Sequence, residues 1–171
     1  EGWAVTPVWG DVVEESRKQL ADDLEQLKKR LERNDLGGGV ESELLEFSAG
    51  RIVTGVRGRH ADITVVGSPR GEFDQALVEG PLFESGRPVL IVPPSWKPRE
   101  MGKSVLVCWK PTREAARALG DADDFLTNAD RVTVVTIDAK PSEDGYGARP
   151  GVDITAHLAR RGVKVELANL D

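Results

Sequence analysis

Cysteine is nearly absent: one Cys occurs in 171 residues. A single thiol excludes an internal disulfide framework and gives no sign of an oxidising compartment. Histidine is scarce as well. The two histidines, His60 and His157, are far in sequence from each other and from Cys108, so a structural zinc site lacks its ligands. No long apolar run occurs. Stretches such as Val89–Val92 are strand length, far short of the ~20 residues that cross a bilayer as a helix. A cationic surplus is also missing, because Lys plus Arg is 23 against 29 for Asp plus Glu, a net charge of −6. Such a balance is poorly suited to neutralising nucleic-acid phosphates or docking on anionic lipid. These absences predict a cytoplasmic protein with no nucleic-acid or membrane partner. The chain opens at Glu1 with no Met and no signal-peptide pattern, and it reads as a piece of a longer chain.

What is present is a globular mix, 39% hydrophobic and 30% charged. The length suits one ordinary domain or two small ones. Val13, Leu20, Leu24, Leu27 and Leu31 recur at helical spacing within Asp11 to Arg33, with acidic and basic residues between them. This predicts an amphipathic surface helix ended by Gly37-Gly38-Gly39. The pattern spans only about three heptads, which favours a packed helix over a coiled coil.

After the glycines, strand and helix patterns alternate. Val40 to Phe47 reads as a strand, and Ser48 as the cap of a short helix carrying Ile52, Val53 and Val56. Ile63 to Val66, Pro88 to Val92, Val105 to Trp109, Val132 to Ile137 and Val163 to Leu167 read as further strands. Helices are expected around Phe73 to Phe83, from Thr112 to about Thr127, and from Asp153, as cap, to Ala159. This alternation predicts an α/β fold with parallel sheets covered on both faces. One gap breaks the pattern. Pro93, Pro94, Pro98 and Gly102 separate Val92 from Val105, and they leave no room for the crossover helix that a parallel connection needs. A boundary is therefore expected across residues 95–102, with one unit at 1–94 and another at 103–171.

The stretches His60 to Ser68, Leu82 to Pro93, Ser104 to Trp109 with Thr112 to Ala118, and Asp153 to Val165 together resemble the universal stress protein family in its tandem, two-repeat form. The resemblance implies Rossmann-like, doubly wound parallel sheets. It makes residues 1–94 the rear of a first repeat and 103–171 the front of a second, with Glu1 to Val5 as the tail of a strand. It implies a non-enzymatic stress-response protein and a homodimer or an inter-repeat pseudo-dimer. The alternatives are an ATP- or AMP-binding regulator and an adenine-nucleotide hydrolase-type enzyme. The glycine-rich pyrophosphate loop expected of the hydrolase is absent.

ATP-binding members of that family carry Gly, two residues, Gly, nine residues, then Gly-Ser or Gly-Thr after the fourth strand. The pattern suits phosphate, since glycine lets backbone N–H groups approach and a hydroxyl adds a donor. Here Gly67 and Ser68 begin the pattern, Arg70 takes the place of the second glycine, Gly80 fits the third, and Pro81 replaces the hydroxyl residue. Pro brings neither N–H nor hydroxyl. Gly71 and the Arg70 guanidinium offset the loss only in part. The candidate nucleotide-binding residues are thus Gly67, Ser68, Arg70, Gly71 and Gly80, in a degenerate loop; ATP is a possible ligand and no cofactor is required. In the second repeat, Lys110 stands where the family's adenosine-holding Asp belongs, and a lysine cannot accept hydrogen bonds as a carboxylate does.

Other chemistry is weaker. Ser68, His60 and Asp62 do not form a nucleophile elbow. His157 has no second ligand at helical spacing, and Cys108 among apolar neighbours reads as an inert core thiol. Asp121, Asp123 and Asp124 read as a solvated helix face. Of Trp3, Trp9, Trp96 and Trp109, Trp96 in the Pro-rich joint is expected to pack between repeats.

Overall fold

The computed structural model describes residues 7–97, 101–142 and 145–171. The expected strand tail at Glu1 to Val5, together with Trp3 and Pro98, lies outside them. The chain divides into two compact units, 1–50 and 51–171.

The first unit is dominated by helix α1, Pro7–Arg33. Its end differs from expectation. Asp35 adopts φ 52, Leu36 N–H donates to Leu31 O at 3.0 Å and Asp35 N–H donates to Glu32 O at 3.1 Å. This is a Schellman stop made by an aspartate in the left-handed region, before the glycines are reached. The expected strand at 40–47 is not formed. Residues 40–46 are irregular, and a 3-10 turn, Phe47–Ala49, follows. Glu41, Glu43 and Glu46 fall on both alternations of this segment, so neither side offers a continuous apolar face, and no described strand pairs with it. Ser48 sits inside the turn and does not cap the following helix.

Helix α2, Gly50–Gly58, leads to strand β1, Thr64–Gly67, helix α3, Glu72–Glu84, and strand β2, Val89–Val92. Strands β1 and β2 pair in parallel, Thr64 opposite Val89 through Gly67 opposite Val92, with α3 as the crossover. A Cβ on Gly80 of α3 would collide with the Arg51 carbonyl and the Thr54 hydroxyl, and one on Gly55 of α2 would lie 2.7 Å from Glu84 Cβ. The two helices therefore approach at a glycine-on-glycine contact. Arg51 Nη2 donates to Glu84 Oε1 at 2.9 Å, and Arg59 Nε donates to Glu84 O at 3.0 Å, beside that contact.

Strand β3, Ser104–Cys108, follows, then helices α4, Arg113–Asp121, and α5, Asp123–Thr127, strand β4, Arg131–Ile137, helix α6, Val152–Arg160, and strand β5, Val165–Leu170. The single helix expected over 112–127 is broken at Ala122. The strands form a separate parallel sheet in the order β3-β4-β5. The fold is thus mixed α/β with two small parallel sheets of the Rossmann-like kind.

Both crossovers in the larger sheet step in the same direction, and right-handed connections then put every helix on one face. Leu119, Leu126 and Leu158 accordingly pack with Val132, Val134 and Val163, flanked by Val105, Val107, Val165 and Leu167. The expectation of two-sided cover fails at the opposite face. Leu106 is 63% exposed and Cys108 is also exposed. In the smaller sheet Val65 is 59% exposed. Of the strands expected to be buried, β4 is largely so, because it alone has a strand on each side. Strands β1, β2 and β3 are half-exposed.

Helix caps also sort differently from expectation. Thr112 does cap α4, its Oγ1 accepting from Ala115 N–H at 3.3 Å. Asp153 does not cap α6. That position belongs to Gly151, whose φ of 80 suits glycine. The carboxyl of Glu114 is held below the usual glutamate range, first by its own backbone N–H, then by the Thr112 hydroxyl, with Arg113 adding a smaller pull against slight desolvation.

Two expectations follow. Gly80→Val forces a branched side chain into the α2–α3 contact, and stability should fall by about 1–3 kcal/mol, read from the urea midpoint at unchanged slope. Thr112→Ala should cost about 1 kcal/mol and move the Glu114 titration, followed by NMR, up toward an ordinary glutamate. In the wild type the Glu114 contribution is present above the unfolded-state pKa and fades as pH falls through the lowered folded value.

Candidate functional site

In parallel α/β sheets, ligand crevices open at the carboxyl ends of the strands, where loops turn into helices. Strands β1 and β2 end together at Gly67 and Val92. Beyond them lies a crevice of about 430 Å³ lined by Gly67, Ser68, Arg70, Asp74, Leu77, Val78, Val92 and Pro94 among others. Ser68 N–H donates to Val92 O at 3.0 Å and continues the ladder past β1, which fixes the loop's departure. Gly71 is the N-cap residue of α3 in extended conformation, with no side-chain cap bond. Arg70 N–H donates to Asp74 Oδ2 at 3.0 Å, and Glu72 and Asp74 place two acidic residues in the first turn, where a helix dipole favours negative charge.

The five residues singled out from the sequence therefore separate. Gly67, Ser68 and Arg70 line the crevice, and Gly71 stands at its helical wall. Gly80 does not join them. It lies nine residues further along, about 13 Å of helix rise, buried in the α2–α3 contact. Pro81 beside it is fully buried too. The loop read as 67–81 is in fact only 68–71, with α3 beginning at Glu72. A small residue at position 80 is required by helix packing, a demand that no local pattern distinguishes from phosphate approach. Asp74 is a crevice-lining side chain that the sequence reading did not single out. The signal was an acidic residue in the first turn of an expected helix, where the dipole favours negative charge.

A second crevice, about 250 Å³, opens at the carboxyl end of β3 and is lined by Trp109, Pro111, Gly145, Tyr146, Gly151, Asp153, Ile154 and His157. Trp109 follows the last residue of β3, and its N–H donates to Val135 O at 2.8 Å, continuing the ladder one bond past the strand. His157 is exposed on α6, one turn after Asp153. Lys110 is exposed and does not line this space.

The remaining candidates disperse. His60 and Asp62 precede β1 and Ser68 follows it, so a four-residue strand of about 13 Å keeps them apart. Cys108 is exposed, not a core thiol, because alternation turns Val105 and Val107 inward and Leu106 and Cys108 outward. The acidic residues near 121–124 are drawn into separate contacts: Arg117 Nε donates to both Asp121 oxygens at 2.9 and 3.0 Å, and Arg161 pairs with Asp123. Among the described residues no group of three or more His, Cys, Asp or Glu is placed to hold a metal ion, and no helix is long and apolar enough to cross a membrane. Trp96 lines an open groove of about 600 Å³ with Leu90, Met101, Val105 and Phe125. No family model, no curated protein and no solved structure matches the chain.

Proposed function

We propose that this chain is a universal-stress-protein-like module, non-enzymatic and cytoplasmic, built from parts of two repeats joined across residues 95–102, which acts through protein partners and not through bound ATP. The observation that carries the reading is the fate of the glycine-rich pattern. Its first members border the β1–β2 crevice, and its last, Gly80, is committed to the α2–α3 contact. Pairing of β1 with β2 and the order β3-β4-β5 are compatible with the rear of one repeat and the front of the next. The alternative, an ATP- or AMP-binding regulator, draws on Gly67 and Ser68 alone.

Two donors expected of an ATP-binding loop are missing. Each hydrogen bond to a charged group is worth roughly 1.5–3 kcal/mol, so the pair weakens binding by about two to four powers of ten. Calorimetric titration of ATP into the full chain should therefore give a dissociation constant of millimolar or weaker. A micromolar constant overturns this reading and promotes the nucleotide regulator.

The proposed module also pairs. Strand β2 has no described neighbour on one side, and Ile91, Val65 and Leu106 are exposed apolar residues on sheet faces. Open edges and apolar faces favour association. Light scattering at micromolar concentration should return twice the chain mass, and a monodisperse monomer contradicts the expectation, with the 88–92 strand as the edge to mutate first.

A further inference from the structure

We propose that Asp74 sets the charge of what the β1–β2 crevice accepts: its carboxylate holds the backbone donor that an anionic ligand needs, and so keeps phosphate groups out. This rests on the reading of the crevice as a degenerate nucleotide site and names the residue that closes it. The crevice is otherwise suited to a small ligand. It is bounded by the Ser68 hydroxyl, the apolar side chains of Leu77, Val78 and Val92, and the Arg70 loop. Its charged lining residues are Arg70 and Asp74. Arg70 is exposed, and its cation reaches water freely, whereas Asp74 is half-buried.

The contact that matters is short and internal. Asp74 Oδ2 accepts the Arg70 N–H at 3.0 Å. An entering phosphate oxygen competes for that donor against a carboxylate already tethered four residues away, which loses no translational freedom in binding. The phosphate must also sit beside a like charge on the crevice wall. Glu72, exposed on the same first turn, adds to the negative field. The glycine departures weaken attraction, while Asp74 supplies repulsion. Selectivity commonly needs such a repulsive element as well as a lost attractive one.

The test is a calorimetric titration of inorganic phosphate, and separately of ATP, into the wild type, Asp74→Ala and Asp74→Asn. Asp74→Ala frees the Arg70 N–H and removes the charge. Asp74→Asn removes the charge but keeps an acceptor and the side-chain volume. Phosphate affinity should rise at least about tenfold in Asp74→Ala, the equivalent of one 1.4 kcal/mol step, with Asp74→Asn between it and the wild type. Circular dichroism checks that α3 persists. If alanine loosens α3, the asparagine variant carries the test, since a residue that merely caps the helix gives no gain in phosphate affinity when its charge is removed. Affinities indistinguishable from wild type in the folded variants overturn the role of Asp74 and leave the degenerate-site reading standing. Micromolar ATP binding by the wild type instead removes the reading on which it rests.

Discussion

Every described strand runs parallel to its neighbour, and that single constraint organises the rest. A parallel pair cannot be closed by a hairpin, so each connection must travel back over the sheet, and a helix is the economical way to do so. Helix α3 does this between β1 and β2, α4 with α5 between β3 and β4, and α6 between β4 and β5. Between β2 and β3 the chain has eleven residues, 93–103, rich in proline, and the two strands lie in different sheets. The same constraint aligns the carboxyl ends of the strands and thereby creates both crevices. It also explains where the apolar surface is left. Crossovers of one hand stepping in one direction cover one face, so Val105 and Val107 go inward while Leu106 faces out.

Within the smaller sheet, covering β1 brings α2 and α3 together closely enough that Gly55 and Gly80 have no space for a side chain. This contact takes Gly80 away from the crevice. A glycine can serve a ligand or a neighbouring helix, because both uses exploit the missing Cβ. Here the helix has it. Pro81 fits the same assignment. It lies in the third turn of α3, where it removes one helical hydrogen bond, and it is fully buried. A phosphate loop has no use for a buried proline, whereas the packed end of a helix beside Ser85, whose hydroxyl donates to the Pro81 carbonyl, tolerates one.

The parts of the fold legible in the sequence were those set by short-range pattern. The β-branched runs at 63–66 and 132–137, the leucine spacing of α1 and the Thr112 cap carry their own instructions. The parts that were not legible depend on partners distant in sequence. Residues 40–46 have strand-like composition but no described strand to pair with. The exposure of Cys108 depends on which face the later helices α4, α5 and α6 choose. The stop of α1 at Asp35 was hidden because glycine, the usual left-handed residue, follows it so closely. Gly67, Ser68 and Arg70 fall together along one crevice because they belong to a single contiguous strand-to-helix loop. Gly80 was misplaced because its role is set by Arg51 and Thr54, nearly thirty residues earlier.

The crevice follows from the chain's connection and not from the chemistry of its loop. The strand ends, the loop departure at Ser68 and the start of α3 follow from the parallel βαβ unit whatever the loop contains. Such a unit leaves N–H groups at a helix start that must be satisfied by something. A glycine-rich loop leaves them for a ligand. Acidic residues in the first helical turn place negative charge there without any ligand, where the helix dipole favours it. Here Glu72 and Asp74 supply that charge, and Asp74 also accepts the N–H of Arg70, one residue before the N-cap. The start of α3 thereby carries its own negative charge whatever lies in the crevice.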